Sequence, residues 1–259
     1  MRSSASSTGG EPARPIGLGE ALIGLAGGFA LSLVATSAYL LATGTPTTDE
    51  DRHPLGSVTV DLFGLWIGLL LAVYIAGRAR ARLAGKGSSL RAVANQFGFA
   101  LRLWPDLPLG IVVGVASQYL LVPLLELPLL PFVPHLFHRL GHPARSLTGD
   151  VHGVGYILLA LLVCVGSPIV EELFFRGLLF SSLLERLAPL GRGVSIAAAV
   201  ILTGLVFGLA HFEPLQFLAL AGFGMVLALL AYSTGRLGSS IVAHISFNTV
   251  TIVAIALAR

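Results

Sequence analysis

Charge is what this chain has least of. Only 11% of its 259 residues are Asp, Glu, Lys or Arg, against about 25% in an ordinary soluble domain. There is one cysteine, Cys164, so no intrachain disulfide can form. Neither G-x-G-x-x-G nor G-x-x-x-x-G-K-[ST] occurs, so the sequence signatures of a nucleotide site are missing. H-E-x-x-H, the standard zinc-protease helix, is missing as well. No internal repeat and no soluble domain can be read from the chain.

What is present is hydrocarbon. The sequence is 55% hydrophobic with a mean hydropathy of +0.87, and its apolar runs have the length of about 17–25 residues that crosses a bilayer as a helix. The runs are continuous rather than alternating, which selects helices over a barrel. The expected fold is an all-α, polytopic integral membrane bundle of about seven spans, with six or eight also admissible. The spans fall near Glu20–Leu41, Val58–Ala76, Leu107–Leu125, His152–Val170, Val194–His211, Phe217–Ala231 and Ser239–Leu257. A further helical run, Leu173–Leu187, either bends on from the fourth span or forms a shorter helix of its own.

Three regions follow. Residues 1–19 are small, polar and Pro/Gly-containing, and read as a disordered cytoplasmic leader. Small residues near Ala38 resemble a cleavage site, but the long leader and full-length first run favour a retained span. Residues 20–150 hold the N-terminal spans and loops, and residues 151–259 hold the groups capable of chemistry. The first span is rich in Gly and Ala, which suits close helix packing. The loop after it carries Asp49, Glu50 and Asp51.

Arg78, Arg80, Arg82, Lys86, Arg91 and Arg102 occur with no acidic residue among them. Beside two membrane spans, this block reads as a cytoplasmic loop, which puts the N-terminus in the cytoplasm too. A nucleic-acid or anionic-lipid patch is the other reading; no nucleic-acid partner is expected. Trp104 falls where an interfacial anchor belongs. Trp66, by contrast, lies in the middle of its run. Pro123, Pro128, Pro131 and Pro134 oppose a long regular helix, so residues 128–150 read as an external, partly re-entrant loop. His135, His138 and His142 in it are spaced for one helical face, bracketed by Pro134 and Pro143; loop histidines are the plainer reading and a metal site the sharper one.

Against this background two adjacent glutamates, Glu171 and Glu172, stand out. A carboxylate in hydrocarbon costs several kcal/mol unless it is paired or faces a polar cavity. Arg176 lies four residues after Glu172 and shares its helical face, so those two can clamp each other. Glu171 points about 100° away. It is the candidate to take a proton from water as a general base. Pro168 removes a backbone donor one turn before the pair and can kink the helix. His211 closes one later apolar run, and His244 and Asn248 share a face of another. Imidazoles can hold a proton or a metal, and an amide can donate to an oxyanion. The residues alone leave a hydrolase, a small transporter and a non-catalytic scaffold all open.

Three short motifs bear on that choice. Glu171-Glu172-Leu173-Phe174-Phe175-Arg176 resembles the EExxxR motif of the CAAX-protease and bacteriocin-processing family of intramembrane endopeptidases, which includes the type II CAAX prenyl endopeptidase. Phe207–His211 resembles its FxxxH motif, and His244–Asn248 its HxxxN motif, in the family's order. The resemblance runs from about Val151 to the C-terminus. It implies an endopeptidase that hydrolyses a peptide bond of a membrane-associated protein or peptide in the bilayer. Glu171 would activate water, with Glu172 and Arg176 in support. His211 would polarise the water or bind a metal, and His244 and Asn248 would stabilise the oxyanion. It leaves metal dependence open: Glu171, His211 and His244 could hold one zinc ion with a free water position. The Gly/Ala-rich composition points to a bacterial plasma-membrane protein.

The simple topology strains this reading. His211 ends one span and His244 begins another, with a full crossing between them, so an ideal layout puts them on opposite sides. If the site is real, some helices stop short or run long, and Glu171, His211 and His244 converge on one cavity.

Overall fold

The computed structural model describes residues 17–45, 54–85, 89–149 and 151–258, with the Phe137 side chain excepted. Most of the expected disordered leader, the acidic trio Asp49, Glu50 and Asp51, Lys86 and Asp150 lie outside the described residues. Among the described residues, seven helices are long and apolar enough to cross a membrane: α1 (Leu18–Thr43), α2 (Leu55–Leu83), α4 (Leu103–Leu129), α7 (Gly153–Leu190), α8 (Arg192–Leu209), α9 (Phe217–Thr234) and α10 (Gly238–Leu257). Three short helices complete the described set: α3 (Leu90–Gln96), α5 (Leu136–Leu140) and α6 (His142–Thr148). Among the described residues there is no strand. The chain is a multi-pass, all-α membrane protein.

Helices meet where side chains are small. Gly24, Gly28 and Ser32 of α1 face Gly64, Gly68 and Ala72 of α2, so each helix offers a small residue every fourth position. A Cβ on Gly28 would lie 3.0 Å from the Leu65 carbonyl, and one on Gly64 would lie 2.7 Å from the Ser32 Cα. Such seams let backbones approach where no hydrophobic driving force operates between helices. Ser32 and Thr36 also donate to Asp61 across this seam.

Two boundaries differ from the sequence expectation, and a third is decided between its two alternatives. α2 runs to Leu83, so Arg78, Arg80 and Arg82 ride on its last turns rather than in a loop. Arg80 uses that position to reach Ser181, Ser182 and Glu185 of α7 at 3.2–3.3 Å. α4 continues through Pro123 to Leu129, because a π turn at Ser117–Leu121 shifts the hydrogen-bond register just before the proline. α7 is one helix of 38 residues, not a span followed by a separate helix.

That length matters. Thirty-eight residues extend about 57 Å along the helix, nearly twice a hydrocarbon core of about 30 Å. π turns at Leu162–Gly166 and Leu173–Phe180 bend its register on either side of Ser167–Glu172. The glutamates thus sit midway along α7, inside the bundle. The core around them is aromatic: Phe174, Phe175, Phe207, Phe223 and Phe247 are all buried.

Candidate active site

Glu172 is fully buried. Its Oε1 accepts from Arg176 Nη1 at 2.7 Å, one turn along α7, and from His244 Nδ1 of α10 at 3.0 Å. Arg176 then spends its other arm on the Gly224 carbonyl of α9 at 3.0 Å, and its guanidinium lies 4.5 Å from the Phe207 ring centre of α8. One arginine therefore links α7, α8 and α9. A planar fork with several donors suits this work better than a point charge.

His244 is fixed from three directions. Its Nδ1 pairs with Glu172, so in a neutral ring with the proton on Nδ1 the lone pair is on Nε2. Phe207 and Phe223 present rings at 5.6 Å on T-shaped approaches. Nε2 faces Glu171 Oε2 at 3.8 Å. That is too long for a direct hydrogen bond. It suits one water donating to both acceptors. Glu171 Oε2 is buried and has no hydrogen-bond partner of its own, while the residue keeps 15% of its side chain accessible.

His211 lies two residues past the end of α8. Its Nδ1–H donates to the Phe207 carbonyl at 2.8 Å, folding the ring back along the helix. The Phe207 ring is 4.7 Å from that of His211 and 5.6 Å from that of His244. The two histidines are therefore one aromatic ring apart, not on opposite faces of the bundle. Phe207, the first residue of the FxxxH segment, is the spacer.

Asn248 has a structural partner that the sequence does not show. Its Nδ2 donates to the Val163 carbonyl of α7 at 2.9 Å. Ser167 N–H bonds back to Leu162 across the π turn, so Val163 loses its usual partner. The Asn248 amide satisfies that orphan carbonyl and pins α10 to α7.

The zinc set left open by the sequence does not form. Among the described residues no three His, Cys, Asp or Glu side chains group closely enough to hold a metal ion. Glu171 and His244 face each other, but His211 turns onto Phe207. The same holds for His135, His138 and His142, which Gly141 divides between two short helices.

Two buried acids outside the motifs shape the surroundings. Asp106 of α4 accepts from the Arg236 guanidinium at 2.7–3.0 Å, from Ser239 Oγ at 2.6 Å and from Arg102 N at 2.7 Å. This hydrogen bonding pushes the Arg236 pKa above its ordinary value, so the pair stays ionised. Glu126, also on α4 and fully buried, accepts from Ala219 N in the first turn of α9 at 3.3 Å. An acidic residue near the end of an apolar run is the sequence signal for both.

Seven helices of spanning length around a buried acid–imidazole cluster define a polytopic membrane protein with that cluster inside its helix bundle. Residues 153–250 match the family model described as Type II CAAX prenyl endopeptidase Rce1-like, so this part of the chain is similar to that family. The chain is also similar to "Putative membrane peptidase YdiL" of Bacillus subtilis (strain 168), 26% identical over 96 residues. That stretch is 37% of this chain and 36% of the relative, so the match spans about a third of either protein. No solved structure matches the chain significantly.

Proposed function

We propose that this chain is an intramembrane endopeptidase acting on a membrane-associated peptide or protein, and that Glu171 activates the attacking water. The supporting observation is the facing pair Glu171 Oε2 and His244 Nε2, 3.8 Å apart, with the far side of the imidazole held by Glu172. Both groups are acceptors, so together they orient one water by its two hydrogens. The water oxygen attacks the scissile carbonyl carbon as Glu171 takes its proton. When the tetrahedral intermediate collapses, Glu171 returns that proton to the leaving nitrogen. Glu172 keeps His244 in the tautomer that presents Nε2, as the buried carboxylate of a hydrolytic triad does. Arg176 stabilises the Glu172 charge, and Asn248 holds the α7 register. His211, held one aromatic ring from His244, flanks the reacting carbonyl. We place the protein in the plasma membrane with its N-terminus in the cytoplasm.

The test uses full-length protein in vesicles and a pool of lipidated, internally quenched peptides. Wild type should release fluorescence, and Glu171→Gln and His244→Ala should each lose about 10²–10⁴-fold of that rate. Undiminished cleavage by Glu171→Gln would rule out the general-base assignment. A transporter would cleave none of the pool.

A further inference from the structure

A groove of about 560 Å³ runs along α3, at the end of the bundle where α2 finishes and α4 begins. Leu90, Arg91, Asn95, Phe99 and Leu101 line it. Its base is firmly held. Phe97 is buried beneath the Arg80 guanidinium, 5.4 Å from the ring centre, and Leu237 N donates to the Gly98 carbonyl at 2.8 Å.

Two features of the groove belong together. Its apolar groups are bare: Leu90 is 75% exposed and Leu101 56%, and Leu103 and Trp104 follow at 69% and 81%. Its charge is of one sign. Arg91 lines it and is exposed, as are Arg82 and Arg102 in the flanking sequence, of which Arg102 directly follows the lining residue Leu101, and no Asp or Glu occurs between Arg78 and Trp104. The nearest acid in sequence, Asp106, is fully buried and already paired with Arg236. Arg80 is committed to Glu185. Arg91 thus meets large apolar side chains at the depth where a tryptophan anchor belongs.

We propose that this groove binds the headgroup of an anionic phospholipid, with the phosphate on Arg91 and Arg102 and acyl chain over Leu101, Leu103 and Trp104. A guanidinium fork matches phosphate oxygens. Juxtamembrane arginines with no interspersed acid are the recurring device for holding anionic lipids. The groove lies outside the matched region 153–250, so the inference stands whether or not the protein cleaves peptides.

The chain has two tryptophans, and Trp66 is only 8% exposed, so a lipid-borne quencher reads chiefly Trp104. Full-length protein is reconstituted in phosphatidylcholine vesicles containing phosphatidylglycerol, with one or the other lipid brominated. Brominated phosphatidylglycerol should quench Trp104 more strongly than brominated phosphatidylcholine at equal mole fraction. Arg91→Gln should weaken that preference about fivefold, and adding Arg102→Gln should weaken it further. Both side chains are exposed, so the variants should fold. Inorganic phosphate and a short RNA should leave the preference intact. Equal quenching by the two lipids, an unchanged preference in the double variant, or relief by phosphate or RNA would overturn the assignment.

Discussion

At the residue scale, the two adjacent glutamates differ in kind. Glu172 is a structural charge: it is fully buried and its Oε1 is shared by Arg176 and His244. Removing one partner of a buried pair leaves an uncompensated charge and typically costs about 3–5 kcal/mol. Arg176→Ala should therefore lower the thermal midpoint in detergent as well as abolish cleavage. Glu171 holds no hydrogen bond through Oε2. Glu171→Gln should abolish cleavage while moving the midpoint little, and circular dichroism melts of the two variants side by side check the contrast. This asymmetry is partly legible in sequence, because the i, i+4 spacing assigns Arg176 to Glu172 and leaves Glu171 unpaired. That His244 turns one nitrogen to each glutamate is not legible. It depends on the packing of α10 against α7, and on Phe207 and Phe223 holding the ring.

At the element scale, α7 shows how a helix of twice the usual length stays intact around a proline. Pro168 lacks an N–H, and the π turn before it moves the register so that the break is absorbed rather than propagated. The orphaned Val163 carbonyl is then met by Asn248. Hydropathy can locate α7, yet it cannot show where its register shifts, and so the pairing of Asn248 with Val163 is not legible in sequence. Trp66 of α2 closes the outer side of the same turn, packed directly on Gly166. A methyl group at Gly166 would collide with the far edge of the indole ring. Gly166→Ala should destabilise by about 1–3 kcal/mol, the usual cost of overpacking. Trp66→Phe removes the colliding atoms. In the double variant part of that loss should return, and a double-mutant cycle of thermal midpoints measures the coupling. Strict additivity would mean that the two side chains do not meet.

At the scale of the whole molecule, the seven crossings sort the charges. Arg78, Arg80, Arg82, Arg91, Arg102, Arg186, Arg192 and Arg236 all fall where α2, α7 and α9 end and where α4, α8 and α10 begin, which is one end of the bundle. At the opposite end, among the described residues, stand Arg139 and Arg145. The basic block in the sequence already suggests this polarity, but only the helix order shows that Arg186, Arg192 and Arg236 share its end. Lys and Arg are retained on the cytoplasmic side of short loops. The basic end, with the start of α1, should then face the cytoplasm, and the α4–α7 connection with the turn after His211 should face outward. Single-cysteine labelling decides this. In a Cys164→Ser background, Pro134→Cys and Gly193→Cys place exposed thiols at the two ends. An impermeant maleimide added to intact cells should label Pro134→Cys and spare Gly193→Cys until the cells are opened. The reverse pattern would invert the molecule, moving the arginine groove to the outer leaflet. Labelling of both in intact cells would break the odd number of crossings between them.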